Sequence, residues 1–217
     1  ADFASDQDLP ELVSGSLGSI APVLLFSNYR ADAPENEAET ALKQFRELAK
    51  LFQREAAAEA EIARWFAQID AYGDAIRKAF GFAPQIQVIR FSSLTTLFVY
   101  TPNSIADWVV RRMGMAQPLT RPASAYGLTQ VRIRDLKNLT DAYVIYIRPF
   151  AQEAKVMNSI LWCATPFTRK HHVAPAEPYW SHGGAPSILT TAKRITEALL
   201  TLAPSYAGRT EQEGTSK

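Results

Sequence analysis

A long proline-free segment dominates the first half of the sequence. Residues 37–80 contain no proline, and Gly73 is their one glycine. Most of the segment consists of Ala, Glu, Lys, Arg, Gln and Leu, which are strong helix formers. Apolar side chains recur at three- and four-residue steps, as expected for one buried helical face. The pattern predicts a single helix of about 40 residues, about 60 Å long, which could break at Gly73 and is long enough to join two lobes.

Composition narrows the class of protein that this helix can belong to. The 217 residues are 47% hydrophobic and 21% charged, which is typical of a globular protein. The net charge of +1 gives no reason to expect nucleic acid or an anionic membrane as a partner. One cysteine and three histidines exclude an internal disulfide and do not favour a metal site. No apolar run is long enough to span a bilayer, and the first residues show no signal peptide, which is either absent or already removed.

Strand and helix patterns alternate after the long helical segment. Strands are predicted over residues 86–91, 97–100 and 143–147, and helices over residues 105–113 and 187–202. This alternation predicts an α/β layer with a mainly parallel sheet. Ligands of such sheets bind beyond the carboxyl ends of the strands. Cys163 lies in an apolar stretch, which favours an inert, buried thiol.

The residues that end the predicted strands, and the loop before the last helix, include several candidate ligand contacts. Arg90 and Arg148 each close an apolar strand, and an arginine fork can bind carboxylate oxygens. Tyr126 precedes a glycine in a loop. Trp180 and His182 lie in a glycine-containing aromatic loop, which suggests a concave surface for a bulky ligand. Each residue also has an ordinary structural interpretation, as a salt-bridged arginine or a packed loop aromatic.

Several segments, taken in order, resemble one known family between residue 9 and about residue 200. The family comprises the bacterial substrate-binding proteins of iron–siderophore and cobalamin ABC importers, and within it the ferric hydroxamate- and ferric dicitrate-binding proteins are the most similar. No single segment is strongly specific, but their order and spacing are. The matching segments are IAPVLL (20–25), the Ala/Glu-rich helix, LFVYTPNSI (97–105), GLTQVRIRDL (127–136), DAYVIYI (141–147), LWCATPF (161–167) and WSHGGAPS (180–187).

The resemblance implies an α/β, two-lobe periplasmic binding-protein fold with one long connecting helix. The C-terminal lobe is expected to be complete and the N-terminal lobe partial. The implied organisation is a remnant of the N-terminal lobe (1–35), a connecting backbone helix (36–83), the C-terminal α/β lobe (84–202) and a disordered tail (203–217). The implied function is to bind a ferric siderophore, of hydroxamate or carboxylate type, in an interlobe cleft. A monomer in the periplasm would then deliver it to an inner-membrane ABC permease, without enzymatic activity, nucleic acid or a cofactor.

The resemblance also assigns ligand contacts. The family's aromatic contacts to the ferric siderophore fall on Tyr126 and Trp180, and His182 holds a position often occupied by Tyr. Arg90 and Arg148 lie where related proteins vary their polar contacts. The siderophore fills the coordination shell of the iron in such proteins, so no residue of this chain is expected to bind the metal.

The resemblance further implies contacts with the permease. The acidic residue that usually meets the permease on the C-terminal lobe is matched by Arg134, so Asp135 is the substitute candidate, with Glu11 on the N-terminal lobe.

Two other functions remain open alternatives to siderophore binding. One is that of a haem- or cobalamin-binding transport protein, in which His182 or Tyr126 could be a haem ligand. Another is an α/β enzyme acting on an anionic substrate, with His182 as acid or base. The nucleotide-binding and nucleophile-elbow glycine motifs do not occur in the sequence.

Overall fold

The proline-free segment forms two helices rather than one. In the computed structural model, which describes residues 19–20, 36–180 and 182–204, α1 spans Glu37–Leu51 and α2 spans Glu55–Phe80. The chain turns between them, where Gln53 has a left-handed backbone with φ of 53°. Gly73 lies inside α2 without interrupting it. The prediction of one helix of about 60 Å is therefore wrong, and the 26 residues of α2 span about 39 Å.

Contacts between α1 and α2 show that they fold back on each other as an antiparallel hairpin. The Arg46 guanidinium donates to the Glu59 carboxylate at 2.6 Å. The rings of Phe45 and Trp65 pack with centroids 5.2 Å apart. A single extended helix would leave its apolar stripe in water, whereas the hairpin buries apolar side chains of both helices in one core.

The sheet has five strands in the order β3-β2-β1-β4-β5 within the described residues. The strands are β1 Ile86–Phe91, β2 Thr96–Tyr100, β3 Leu128–Arg132, β4 Tyr143–Ile147 and β5 Val173–Ala176. β1, β4 and β5 run parallel, but β2 is antiparallel to both β1 and β3. The sheet is thus mixed rather than mainly parallel, because the short turn after Phe91 can connect only antiparallel neighbours.

The remaining helices are short except for the last. They are α3 Ile105–Arg112, a 3₁₀ helix Ile133–Leu136, α4 Glu153–Met157, α5 Ile160–Cys163, α6 Pro166–Arg169 and α7 Pro186–Leu200. The strands predicted at 86–91, 97–100 and 143–147 and the helices predicted at 105–113 and 187–202 are confirmed to within two residues. Strand β3 was not predicted. None of the described helices is long and apolar enough to cross a membrane.

Each face of the sheet carries its own core. Side chains of Val88, Tyr100 and Ile145 face a core shared with the α1–α2 hairpin, α3 and α7. The alternate positions, such as Ile89 and Val99, face a second core that includes the helices after β4. This layered arrangement confirms the predicted α/β class.

One prediction about the second core is wrong. Cys163 is exposed rather than buried, and its Sγ lies 3.2 Å from the Met157 carbonyl oxygen. The neighbouring Trp162 fills the core instead, at 1% exposure. In a helix of one turn, adjacent residues point in different directions, so an apolar neighbourhood in sequence does not bury every member.

Most of the predicted N-terminal remnant lies outside the described residues. Of residues 1–35, only Ser19 and Ile20 are described, and both are exposed. Glu11 and most of the matching segment IAPVLL (20–25) therefore lie outside the described residues, as do residues 205–217 of the predicted tail.

Candidate functional site

The aromatic loop between β5 and α7 carries one of the large exposed side chains of the candidate site. Trp180 is 51% exposed. Its indole Nε1 donates to the His182 carbonyl oxygen at 3.1 Å, and the two rings stand nearly perpendicular. The Tyr179 hydroxyl, in contrast, is buried, and no residue in the described ranges hydrogen-bonds to it. The loop therefore buries the hydroxyl end of Tyr179 and exposes the side chain of Trp180 to solvent.

His182 connects this loop to the sheet. Its ring lies 6.3 Å from that of Tyr100, the last residue of β2. Burial, and secondarily the positive charge of Arg90, lowers the pKa of His182 to about 4. The imidazole is therefore neutral at physiological pH, with one protonated and one bare ring nitrogen.

Glu37, the first residue of α1, is an ionisable residue that the sequence analysis did not single out. It is 1% exposed. Its Oε2 accepts a hydrogen bond from the Ile105 amide at 3.3 Å and lies 3.9 Å from His182 Nδ1. Burial raises the pKa of Glu37 to about 7, with the Ile105 hydrogen bond opposing the shift. An acidic residue in the first turn of a helix is ordinary in sequence, so nothing in the pattern marked it.

The other carboxyl oxygen of Glu37, Oε1, lies against the loop that contains Tyr126. Oε1 is buried without a hydrogen-bond partner among the described residues. It abuts Gly127, where any side chain would collide with the carboxylate and where φ is 63°. Tyr126 precedes this glycine and is 63% exposed. Glu37 therefore contacts the backbone beside Tyr126 as well as His182, which brings the two predicted ligand contacts to one carboxyl group.

Hydrogen bonds hold the Tyr126 loop against the start of α3. The Thr101 amide donates to the Gly127 carbonyl oxygen at 2.9 Å. The Asn103 side-chain amide donates to the Ser124 carbonyl oxygen at 2.8 Å. The Asn103 carbonyl oxygen accepts from the amide of Glu37 at 2.8 Å. The segment TPNS (101–104), part of the matching segment LFVYTPNSI, thus links α1 to the Tyr126 loop.

The two predicted arginines do not lie together. Arg90 is the neighbour of Ile89 on β1, which pairs with Tyr146 on β4, so Arg148 is level with Phe91 and not with Arg90. The charge of Arg90 acts on His182 and Tyr179 on the hairpin face of the sheet. No ion pair joins Arg90 to any residue of the described ranges.

Arg148 is already engaged on the opposite face. Its Nε donates to both carboxylate oxygens of Glu153, at 3.1 and 3.0 Å, and the Tyr146 hydroxyl donates to the same carboxylate at 2.9 Å. Arg148 lowers the pKa of Glu153, and Glu153 in turn raises that of Arg148. The expected cleft-facing arginine pair is therefore not present, and Arg90 alone remains beside the aromatic loop.

Asp135, the predicted permease contact, is exposed on the 3₁₀ helix. Its carboxylate accepts a hydrogen bond from the Arg132 amide at 2.9 Å, which caps that helix. Arg134 beside it is also exposed. Within the described ranges no three His, Cys, Asp or Glu side chains are grouped so that they could hold a metal ion.

Comparison with known proteins places these features in context. No protein-family model matches the sequence. Among solved structures, the Fe³⁺–Desferal-bound siderophore-binding protein FhuD from Vibrio cholerae is 36% identical, with a TM-score of 0.84 over 89% of this chain and 72% of that chain.

More distant structures share the fold. Unliganded FhuD2 from Staphylococcus aureus is 18% identical, with a TM-score of 0.69 over 93% of this chain and 75% of that one. The periplasmic catecholate-siderophore-binding protein VctP from Vibrio cholerae is also 18% identical, with a TM-score of 0.59 over 90% of this chain and 68% of that one. At this level of identity the likeness concerns the arrangement of helices and strands alone.

Proposed function

The chain belongs to the FhuD-type family of periplasmic siderophore-binding proteins, and on that basis we propose that it binds a ferric siderophore and delivers it to the permease of an ABC importer for iron uptake. The observation that carries the proposal is the 36% identity to a relative whose structure holds Fe³⁺–Desferal, over 89% of this chain. The neighbouring folds are those of binding proteins. The protein acts as a carrier in the periplasm and catalyses no reaction.

We assign the ligand contacts to the exposed aromatic side chains around Glu37. Trp180 and Tyr126 offer large faces to a bulky complex, and each buried aromatic ring removes roughly 150–250 Å² from water. His182 supplies a polar edge between them. Arg90 supplies positive charge beside the same loop, whereas the Arg148 guanidinium is occupied by Glu153. The iron stays within the siderophore, and the protein needs no metal ligand or cofactor of its own.

These groups also support a proposal for the class of siderophore. Aromatic faces and a single arginine suit a complex whose outer surface is apolar with exposed oxygen atoms. Ferric hydroxamates have this surface, and citrate-type carboxylate complexes add negative charge that Arg90 would offset. We propose a hydroxamate or carboxylate complex as the ligand, bound by a monomer, with Asp135 and Glu11 as permease contacts.

Tryptophan fluorescence tests the proposed function. Of the four tryptophans, Trp65 and Trp162 are buried and Trp108 is half-buried, whereas Trp180 is 51% exposed. A ferric complex bound at the aromatic loop should quench Trp180 strongly. We expect saturable quenching by ferrioxamine B or ferric dicitrate at micromolar concentrations or below.

The variant W180F identifies the site, and W108F is the matched control. W180F should lose most of the quenching amplitude, while W108F should retain it with an unchanged Kd. Absence of saturable quenching by hydroxamate, carboxylate and catecholate complexes, with isothermal calorimetry also showing no binding, would overturn the proposed function. Equal quenching in W180F and the parent protein would remove Trp180 from the site.

A further inference from the structure

The first turn of α5 presents two large aliphatic side chains to solvent. Ile160 is 89% exposed and Leu161 is 40% exposed. The next residue, Trp162, is buried in the second core and packs against Phe91 and Phe167, so the turn is fixed in position although its apolar side chains face water. An almost fully exposed isoleucine forgoes the free energy that its burial would contribute, which makes this turn a candidate for contact with another apolar surface.

A third exposed aliphatic side chain lies on a neighbouring turn. Leu94, between β1 and β2, is 40% exposed. The Ile133 amide donates to the carbonyl oxygen of Thr95 at 3.0 Å, which holds this turn beside the 3₁₀ helix. The 3₁₀ helix in turn contacts α5. The three exposed aliphatic side chains therefore lie on adjoining parts of the fold.

This part of the chain carries an excess of positive charge. Residues 128–172 contain seven Lys and Arg but three Asp and Glu, a formal charge of +4 against +1 for the whole chain. All three acidic side chains are engaged within the segment, Asp135 with the Arg132 amide, Asp141 with Lys170 and Glu153 with Arg148. The net charge, which gave no reason to expect an anionic membrane as a partner, therefore conceals a local basic region.

Exposed basic residues lie on the same or adjoining elements as the apolar ones. Arg134 lies on the 3₁₀ helix, Lys137 directly after it and Lys155 on α4, which also contacts α5. Arg134 Nε is 4.0 Å from an Asp135 oxygen, and no ion pair within the described residues involves Lys137 or Lys155. We use the name α5 face for the apolar and basic side chains of Leu94, Ile160, Leu161, Arg134, Lys137 and Lys155.

The composition of the α5 face favours a lipid surface over a folded protein. Aliphatic side chains insert between lipid headgroups, while lysine and arginine reach the phosphates on flexible stems. A protein interface is instead typically centred on aromatic residues, and the aromatic residue of this turn, Trp162, is buried in the core. A layer of headgroups also requires no matching shape, which suits side chains that stand on separate turns.

We propose that the α5 face is a weak, reversible docking surface for anionic phospholipid headgroups. Its role, though not its chemistry, rests on the proposed function. A permease lies in a membrane, and Asp135, its proposed contact, belongs to the 3₁₀ helix that also carries Arg134. Attraction to the lipid around the permease would keep the carrier close to its partner between encounters. Three aliphatic side chains and three basic ones bind far more weakly than a membrane-spanning helix.

Vesicle flotation of the ligand-free protein tests this surface without any siderophore. The protein should bind vesicles made of phosphatidylglycerol and phosphatidylcholine in equal parts, but not vesicles of phosphatidylcholine alone, and about 0.5 M NaCl should weaken the binding strongly. K137Q/K155Q should lower the partition coefficient about 25-fold, because each basic side chain near an anionic surface contributes about five-fold. I160S/L161S should lower it about ten-fold or more.

Two matched variants control for overall charge and for general adhesion of apolar side chains. K43Q/K78Q also removes two exposed lysines, from α1 and α2. F82S removes a side chain that is 55% exposed and precedes the start of β1. Both variants should bind the anionic vesicles nearly as the parent does. Circular dichroism and urea unfolding establish that every variant is folded.

No binding to the anionic vesicles, or binding that falls equally in the control variants, would overturn the inference. So would a loss of permease binding in K137Q/K155Q without any vesicle binding by the parent, since the partner of the α5 face would then be a protein. The α5-face variants should keep the parent's affinity for ferrioxamine B. A parent protein that binds anionic vesicles but no siderophore would instead contradict the proposed function and leave the lipid-binding role of the α5 face intact.

Discussion

At the scale of single residues, the described part of the site places the Arg90 cation beside aromatic and polar side chains. Arg90 lies beside the aromatic loop, and no described carboxylate pairs with it. A charge-assisted hydrogen bond contributes roughly 1.5–3 kcal/mol, so an anionic ligand should gain about ten-fold in affinity or more from it. The Arg148 guanidinium, in contrast, already donates hydrogen bonds to the carboxylate of Glu153.

The variant R90Q tests this difference, with R148Q as its control. R90Q should weaken binding of anionic ferric dicitrate about ten-fold while changing the affinity for cationic ferrioxamine B much less. R148Q should leave the ratio of the two affinities unchanged. Calorimetric titration measures both constants. Equal losses for both ligands in R90Q would assign Arg90 a structural role instead.

The predicted site residues show how far sequence reasoning reaches at this scale. Tyr126, Trp180 and His182 are candidates both as loop residues beside glycines and by their family positions, and the structure brings their loops to one carboxyl group. Glu37 could not be predicted as a site residue because its burial depends on α3 and on two loops that are distant in sequence. The arginine pair was expected because both residues end strands, but alternation along β1 and β4 places them on opposite faces.

At the scale of elements, the contact between α2 and α3 depends on Gly73. A side chain at this position would collide with the carbonyl of Met113, at the end of α3. The same carbonyl oxygen accepts a hydrogen bond from Arg77 Nη1 at 2.7 Å. Glycine therefore serves here for close approach of two backbones, at the expense of helix propensity.

The variant G73A should destabilise the protein even though alanine is the better helix former. Propensity alone would stabilise the helix by about 1 kcal/mol, but the collision with backbone should cost about 1–3 kcal/mol more than this gain. A75G, at an exposed position two residues away, is the control and should lose about 1 kcal/mol through propensity alone. Urea unfolding measures both. A stabilised G73A would show that α3 can move away freely.

Element order was predictable where the local pattern decides the structure, and connections were not. The strand YVIYI and the helix after the NS cap in residues 103–104 are confirmed, because an unbroken apolar run and a capping serine act locally. The break between α1 and α2 contains neither glycine nor proline. The periodicity is alike on both sides of it, so only tertiary packing distinguishes a hairpin from one long helix.

At the scale of the whole molecule, Glu37 and His182 make opposing contributions to the dependence of stability on pH. The pKa of Glu37 is raised from 4.5 to about 7, so its contribution is complete below pH 4.5 and is lost as the pH rises through 7. The pKa of His182 is lowered from 6.5 to about 4, so its contribution is complete above pH 6.5 and is lost as the pH falls through 4. Between pH 4.5 and 6.5, the two contributions change the free energy of unfolding with opposite signs and largely cancel.

The variant E37Q should separate the two contributions. Without the carboxyl group, only the His182 slope remains, so the free energy of unfolding should rise from pH 4 to 6.5 and then stay level. At pH 8 the variant should exceed the parent by on the order of 2–3 kcal/mol, because it no longer buries an ionised carboxylate. Urea unfolding at pH 4.5, 6 and 8, with E39Q as the control, measures the difference. If E37Q is instead the less stable protein at pH 8, the ionised carboxylate must gain more from its surroundings than burial costs it, and Glu37 would act as a fixed anion that holds the Tyr126 and His182 loops together at every pH.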